Sequence, residues 1–525
     1  MSVLFVIVQC GTLFFVVKQL LHYISAKWKV AEGTKGGCEP AHVFPRKDPL
    51  GIINAIAHGR ARDQCRWPNH LFEILDTGGK NIHTVWERPL GNDFLLTRDP
   101  DIFKAVLATQ AEAFVLGEGR SQNFMDLFGP GVFTSEGKAW QHSRALVRPQ
   151  FARQQVSDLT RLEDHLQQLW QRIPICNDRW TDVVDLQPLF LDLTIDVITE
   201  LVLGYSVNSQ DPSLRSSLPG VNAPDSAKFA RNIDAGASWI TRRAVFGKWY
   251  WLFQSRAFNR SCKEIHDYVD WFVQMELSGK MSSQAKQTES ARPHFVLLEE
   301  LSKITQDPLE LRNETLNLIP AGRNTTASLL GWAFYFLSRN PSTYGRLREE
   351  VLNDVGASGV DDSTKLLSCQ YLQWCLKETL RLCPGAPAII RKATETVILP
   401  RGGGKDGNSP VFLPKNSLVL LCIHALHHRE DMWGHDVEDF KPERWRERPF
   451  AWDFLPFSAG PRKCLGQQLG MTEASYVVAR FAQRYDKIQN VEAPGPIKYL
   501  THMSMRSGTG VQVRLHQDEN FVVSR

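Results

Sequence analysis

The sequence predicts a mostly α-helical protein with a small β portion, and three stretches of the chain support this fold class. Between Leu159 and Leu169, apolar residues recur at spacings of three and four, as on the buried face of a helix. A longer apolar pattern, from Leu316 to Leu337, predicts a second and largely buried helix. From Thr396 to Leu421, short apolar runs alternate with glycine-rich turns, which indicates a small sheet.

The N-terminal segment, residues 1–25, is expected to form a single membrane anchor. From Val3 to Ile24 the chain is largely apolar, and about 20 such residues suffice to cross a bilayer. The segment lacks the small-residue cleavage pattern of a signal peptide that is removed, so it is expected to stay on the chain. Lysines follow the segment and none precedes it, so the rest of the chain is expected to face the cytosol. Residues 26–50 contain three prolines and predict a stiff linker, which leaves 51–525 as the main domain.

Composition excludes several classes of protein. The net charge of +4 over 525 residues is close to neutral, and no nucleic-acid motif is present, so a polyanionic partner is not expected. Ten cysteines form no C-x-x-C pair, which is typical of a reducing compartment. The glycine run 402–404 lacks the lysine and hydroxyl residue of a phosphate-binding loop. Because no dinucleotide fingerprint is present either, an electron donor would have to be a separate protein.

The most informative motif lies near the C-terminus, where five residues stand at fixed spacing: Phe457, Gly460, Arg462, Cys464 and Gly466. This spacing resembles the F-x-x-G-x-R-x-C-x-G loop of the cytochrome P450 family, in which a cysteine thiolate binds haem iron. A thiolate ligand increases electron density at iron and favours O–O cleavage. Backbone N–H groups and a following helix help to keep such a sulfur ionised.

The resemblance implies a role for each of these five positions. Cys464 would be the axial ligand of the haem iron, and Phe457 would shield its sulfur. Arg462 would neutralise a haem carboxylate. Gly460 and Gly466 would let the backbone approach the flat macrocycle, which any Cβ would hit. The implied fold is a triangular helical prism with haem b between a long central helix and the cysteine loop.

A second group of motifs is expected to hold the fold together around the haem. Glu378 and Arg381 are three residues apart on one predicted helix face and are close enough to pair. With Arg444, in the segment Pro442–Trp445, they match the buried structural network of the family. Truncation of any member would leave a buried charge unpaired, so the network is expected to serve folding and haem retention.

Three further residues match the haem-propionate contacts of the family. Trp140 and Arg144 are four residues apart on a predicted helix and fit its W-x-x-x-R pattern. Arg391 fits the P-x-x-x-R pattern. A planar guanidinium group suits a carboxylate better than an ammonium group does.

The oxygen-activating segment of the family corresponds to residues 321–326, which read Ala-Gly-Arg-Asn-Thr-Thr. Gly322 is expected to open the helix near the haem, and Thr325 to pass protons. Ala321 cannot esterify the haem as a glutamate can, so the haem is expected to be bound non-covalently. Asn324 departs from the pattern, because an acid normally stands there and an amide cannot donate a proton as a carboxyl group can. We therefore expect proton delivery through water and Thr325.

Two other clusters have competing interpretations. His424, His427, His428 and His435 could bind a metal ion, but structural or solvated histidines are the simpler interpretation. The aromatic run around Trp249–Trp251, interleaved with arginines, fits either core packing or an interfacial region that dips into lipid. Three glycosylation sequons, at Asn259, Asn313 and Asn324, are expected to stay unmodified in a cytosolic domain.

Several segments resemble the fungal alkane and fatty-acid hydroxylase branch of the family, and the resemblance covers most of the chain from Gly51 onward. These segments are residues 129–133, 399–404 and 440–445. The implied activity is monooxygenation of a long aliphatic, fatty-acyl or polyketide-type substrate. Members of this branch also serve fungal biosynthetic pathways, so the resemblance implies such a pathway as a second setting. Electrons would come from NADPH through NADPH-cytochrome P450 reductase, with cytochrome b5 as a second donor. The implied location is the endoplasmic reticulum membrane, with the domain 51–525 on the cytosolic side.

Two alternative functions stay open. One is a haem-thiolate isomerase or dehydratase that rearranges an oxygenated lipid without a reductase. Asn324 is compatible with this reaction, whereas Thr325 argues against it. The other is a haem-binding protein without catalytic activity.

Overall fold

A computed structural model describes residues 36–45, 48, 51–151, 159–211, 213, 224–244, 246–280, 295–360, 362–449 and 451–521. The predicted anchor 1–25 and most of the linker 26–50 lie outside these residues. No helix in the described part of the chain is long and apolar enough to cross a bilayer. Contacts divide the chain into two compact units, a smaller one built around a sheet and a larger helical one.

The smaller unit combines the segments Met1–Asn54, Leu71–Val115 and Ile389–Cys422, as far as they are described. Its main sheet has six strands in the order β1-β2-β3-β9-β6-β4, and a β7–β8 hairpin lies in the same unit. Strands β3 and β9 pair in parallel, with Phe94 opposite Leu418. The strands are β1 (His42–Val43), β2 (Thr84–Glu87), β3 (Phe94–Thr97), β4 (Phe114–Val115), β6 (Ile389–Ala393), β7 (Val397–Gly403), β8 (Ser409–Leu413) and β9 (Leu418–Leu421).

Most helices belong to the larger unit, which combines Ala55–His70, Leu116–Ala388 and Ile423–Arg525. In chain order the α-helices of the described residues are α1 (Ile52–Asp63), α2 (Trp67–Leu75), α3 (Pro100–Lys104), α4 (Glu118–Phe128), α5 (Gly137–Val147), α6 (Thr160–Gln171), α7 (Leu186–Leu203), α8 (Ser226–Ala244), α9 (Arg256–Leu277), α10 (Leu297–Ser302), α11 (Pro308–Arg339), α12 (Pro341–Asp354), α13 (Ser363–Ser368), α14 (Gln370–Leu382), α15 (Ile423–His427), α16 (Glu430–Trp433) and α17 (Gln467–Arg484). The larger unit also holds β5 (Val184–Asp185), β10 (Tyr485–Asn490), β11 (Tyr499–Thr501), β12 (Met505–Ser507) and β13 (Gln512–Gln517).

The long helix α11 is the central element of the larger unit. Asp307 caps its first turn by accepting from the Leu309 N–H, and Pro308 occupies the first helical position. Its second half is almost entirely buried and packs in a core with α7, α14 and α17. An interior proline, Pro320, has no N–H to donate and directly precedes the oxygen-activating segment.

The predicted secondary structure is confirmed for all three stretches on which the fold class rested. The 159–169 pattern lies in α6, the 316–337 pattern lies in α11, and residues 396–421 form strands β7 to β9. The chain is therefore mostly α-helical with a small β portion, as predicted.

Candidate active site

The cysteine loop leads directly into a long helix. The Cys464 N–H donates to the Phe457 carbonyl at 3.0 Å, which closes the loop. Ser458 and Gly460 have φ values of 60° and 69°, in the left-handed region that a tight turn requires. Gly466 is the N-cap of α17, and its N–H donates to the Cys464 thiol. The sulfur therefore stands at the positive end of an 18-residue helix.

The Cys464 thiol is accessible, yet protein surrounds it on most sides. Residue Cys464 is exposed to solvent. Burial of its surroundings raises the pKa of the thiol, and the Gly466 N–H and the Arg144 charge oppose this in part. In the free protein the sulfur is therefore protonated at neutral pH. A bound metal ion would favour the thiolate, because metal ligands are deprotonated.

Three arginines gather near this loop, and we call Arg120, Arg144 and Arg462 the arginine cluster. Arg462 donates to a carboxylate oxygen of Glu136 at 2.7 Å, and its guanidinium lies 4.4 Å from the centre of the Trp140 ring. Arg144 donates to the Lys463 carbonyl at 3.2 Å, within the cysteine loop. The structure thus brings the predicted residues Trp140, Arg144 and Arg462 together.

The arginine cluster carries more positive charge than its surroundings balance. Burial lowers the pKa of all three guanidinium groups, and that of Arg120 falls to about 10 because Arg462 adds repulsion. Among the described residues, Glu136 is the carboxylate that offsets Arg120 and Arg462. The three side chains are half-buried, and cations removed from water without counter-ions are unfavourable unless an anion joins them. The donor set therefore fits a ligand with two carboxylates, such as haem.

Sequence reasoning missed both Arg120 and Glu136. A signal existed for Glu136, because it immediately precedes the helix α5 that carries Trp140 and Arg144. Arg120 stands in no motif, and only the fold places its charge near Arg462.

Three residues of the oxygen-activating segment, Ala321, Gly322 and Thr325, are partly or fully exposed, and we call this side of the helix the open face of α11. Thr325 is exposed and Ala321 and Gly322 are half-buried, whereas the flanking residues Arg323 and Asn324 are buried. The Thr325 hydroxyl donates to the Ala321 carbonyl at 2.7 Å. A Cβ added to Gly322 would lie 2.6 Å from the Ile198 side chain, so this glycine lets α7 pack closely. The expectation that Gly322 opens the helix is wrong, because α11 continues without a break through this residue and its missing Cβ instead makes room for Ile198.

The helix that follows the cysteine loop packs against α11 next to Thr325. The Thr326 hydroxyl donates to Glu473 of α17 at 3.1 Å. Burial raises the pKa of this carboxyl to about 7. Because α17 begins three residues after Cys464, this contact connects the helix that follows the cysteine loop to the buried side of α11, next to Thr325.

The Glu378 carboxylate is the centre of a buried ion network. Glu378 and Arg381 are both 0% exposed and form two hydrogen bonds, of 2.9 and 3.0 Å. Arg444 donates to the same carboxylate at 2.9 Å, and the Trp445 indole N–H donates at 3.0 Å. The three predicted members are therefore in direct contact, and Trp445 is a fourth member that the sequence analysis missed.

The histidine cluster lies mainly in the interior. His424, His427 and His428 are buried, whereas the His435 side chain is 97% exposed. His427 accepts from the Leu455 N–H at 2.9 Å, and burial lowers its pKa to about 3. Its neutral ring therefore connects α15 to the segment that enters the cysteine loop. These contacts fit the structural interpretation.

Arg391 lies on β6 in the smaller unit, where its guanidinium donates to the Ile390 carbonyl at 2.8 Å. Its role as a propionate partner stays a prediction.

The chain matches the family model described as Cytochrome P450 over residues 68–510. It is 38% identical over 519 residues to "Cytochrome P450 monooxygenase g430" of a Fusarium species, covering 96% of this chain and 90% of that protein. It is 39% identical over 475 residues to "Cytochrome P450 52A3-B" of Candida maltosa, covering 88% and 87%. It is 37% identical over 485 residues to "Cytochrome P450 monooxygenase himC" of Aspergillus japonicus, covering 91% and 84%. With the cysteine loop and the buried network in place, these matches show that the chain belongs to the cytochrome P450 family.

Proposed function

We propose that this cytochrome P450 monooxygenase inserts one atom of dioxygen into an unactivated C–H bond of a long aliphatic, fatty-acyl or polyketide-type substrate. The observation that carries the proposal is the accessible Cys464 thiol at the start of α17. The names of the Fusarium and Aspergillus relatives, both monooxygenases, support the reaction class.

The cofactor that we propose is haem b, held without a covalent bond. When bound, haem supplies the redox-active iron that activates dioxygen. Cys464 would bind its iron, and Arg144 and Arg462 would bind its carboxylates beside Trp140. Ala321 has no carboxyl group with which to form an ester.

Thr325 is the proposed proton carrier on the open face of α11. Its hydroxyl now donates to the Ala321 carbonyl. A rotation about χ1 would free this proton for donation on the exposed face of the helix. Asn324, which is buried beside it, can hold water by hydrogen bonds but cannot release a proton at neutral pH.

We further infer that electrons come from NADPH through the separate NADPH-cytochrome P450 reductase, with cytochrome b5 as a second donor. Lys463 is exposed in the loop beside Cys464 and offers a positive contact for an acidic electron carrier.

The proposed location is the endoplasmic reticulum membrane, through the anchor 1–25. Exposed apolar residues at Trp251 (53%) and Leu252 (58%), beyond the end of α8, would add a contact with lipid.

The test is turnover under isotopically heavy dioxygen in membranes that contain the reductase. The substrates are a panel of fatty acids, alkanes and acyl polyketides, and mass analysis detects the label. We expect an NADPH-dependent product with one heavy oxygen atom, and Cys464→Ser should abolish it. Cys176→Ser is the matched control, because Cys176 is also free and exposed.

A product that forms without NADPH and without label would instead support the isomerase or dehydratase, for which Asn324 in place of an acid is the favouring observation. Haem binding without any product from the panel would support the non-catalytic alternative.

A further inference from the structure

The Glu136 carboxylate connects two parts of the larger unit that are far apart in the sequence. Its Oε2 accepts from Arg462 in the cysteine loop at 2.7 Å, and its Oε1 accepts from the Leu116 N–H at 2.5 Å. Leu116 is buried and stands two residues before α4. One side chain therefore links the cysteine loop to the start of the helix that carries Arg120.

The segment around Glu136 makes three contacts with the Arg462 guanidinium. Besides the carboxylate, the Ser135 carbonyl accepts from Arg462 at 2.9 Å, and the Trp140 ring lies against the guanidinium plane. Both hydrogen bonds use Nη2, so Nε and Nη1 can donate to a further acceptor. A guanidinium that is held in this way loses little freedom when it binds a ligand carboxylate.

The link from the cysteine loop continues beyond α4 to α8. The Asn123 side chain is fully buried and donates to the Ile240 carbonyl at 2.9 Å. Arg243, also buried, donates to Asp126 at 3.0 Å. Polar contacts therefore run from the cysteine loop through Glu136 and α4 to α8, and contacts of this kind can carry a displacement from one end to the other.

A carboxylate beside the arginine cluster needs a physical reason, because it repels the carboxylates of an anionic ligand. With Glu136 the cluster keeps an excess of two positive charges, and haem carries two carboxylates. Glu136 also opposes the repulsion between Arg120 and Arg462. The acid is therefore compatible with the ligand and lowers the energetic cost of bringing the arginines together.

We propose that Glu136 is a positioning residue that couples haem binding to the position of α4. It holds Arg462 ready for a haem carboxylate, and the same carboxylate group fixes Leu116 at the start of α4. When Arg462 also binds the ligand, Glu136 is restrained, and its contact with Leu116 becomes more persistent. The inference rests on the proposed function, because it takes haem as the ligand, and it adds a link from the cofactor site to α4.

The experiment measures hydrogen exchange of the Leu116 amide by mass analysis, in haem-free and haem-loaded full-length protein without reductase or NADPH. We expect haem to slow this exchange about tenfold in the parent protein, because the acceptor of the amide is then restrained. In Glu136→Gln, haem should slow it less than about threefold, because the amide has one acceptor oxygen and cannot accept from both partners. The same result is expected for Arg462→Gln, in which Leu116 and Glu136 are unchanged.

Haem titration provides a second measurement. Arg462→Gln should weaken haem binding about tenfold in the parent protein, but less than about threefold in the Glu136→Gln background, because coupled residues are not additive. Glu112→Gln is the matched control, since it removes the charge of an exposed glutamate four residues before Leu116. It should match the parent protein in both measurements.

Equal slowing of Leu116 exchange by haem in the parent protein and in Arg462→Gln would overturn the proposal. So would a tenfold loss of haem affinity from Arg462→Gln in both backgrounds. A purely structural role of Glu136 would change Leu116 exchange by the same factor with and without haem, which also contradicts the proposal. Failure of the proposed function is a separate result, because it would appear as a lack of labelled product whatever the exchange rates are.

Discussion

Two groups of arginines in this protein, all at least partly buried, differ in how their charge is balanced. In the network around Glu378, Arg381 and Arg444 share a carboxylate that also accepts from Trp445. In the arginine cluster, Glu136 offsets only Arg120 and Arg462, and burial and repulsion lower the pKa values of all three guanidinium groups. A buried charge that the protein itself satisfies serves the fold, whereas one that it leaves unbalanced indicates a ligand.

The largest effect is expected where the charge is fully balanced. Glu378→Ala leaves Arg381 buried without its partner, which should lower the free energy of unfolding by about 3–5 kcal/mol. Chemical denaturation and the yield of folded, haem-loaded protein measure this effect. Glu300→Ala is the control, because it removes an exposed pair with Lys303 that contributes about 0–1 kcal/mol. Similar stability for both variants would contradict the comparison.

Glu473 sharpens the comparison, because a proton rather than an arginine neutralises this buried carboxyl. Its pKa in the folded protein is about 7, above the value of an exposed glutamate. Between pH 4.5 and 7 the folded state thus binds more protons than the unfolded state, so this group makes the protein less stable as pH rises. Glu473→Gln should reduce the decrease in the free energy of unfolding over this pH range by up to about 3 kcal/mol. Unfolding measured from pH 5 to pH 8 tests it, and equal slopes for both proteins would refute it.

In the arginine cluster, a substitution is expected to weaken haem binding and not to destabilise the fold. Arg462→Gln relieves repulsion on Arg120, so the haem-free protein should be at least as stable as the parent. Haem affinity should fall about tenfold, because one charged hydrogen bond to a carboxylate is lost. Haem titration and thermal unfolding of the haem-free chain measure the two quantities. A drop in stability as large as that of Glu378→Ala would contradict the distinction.

The smallest effect is expected when a carboxylate replaces the Asn324 amide. With an uncharged substrate, Asn324→Asp should raise the product formed per NADPH about twofold. General acids often contribute 10²–10⁴-fold, but here water and Thr325 are expected to carry protons already. Product and NADPH consumption, measured together, test this prediction. Unchanged coupling would show that the residue at position 324 does not limit proton delivery.

Local patterns in the sequence predicted much of this structure. Apolar periodicity located α6 and α11, and fixed spacings located the cysteine loop and the Glu378 network. The contribution of Trp445 to that network was not found, because its indole reaches Glu378 only after the chain has folded back. The pairing of Arg323 with Asp234 could not be predicted either, since the two residues are 89 positions apart in the chain. Charge balance between distant residues depends on packing, which neither composition nor periodicity reports.

The parallel pairing of β3 with β9 has a consequence for synthesis of the chain. Phe94 meets Leu418, so the main sheet of the smaller unit stays incomplete until most of the polypeptide has left the ribosome. Such high contact order slows folding and leaves the edge of β3 unpaired for that time. Chains that terminate before β9 should therefore aggregate, and chaperones that shield strand edges should raise the yield of the complete protein.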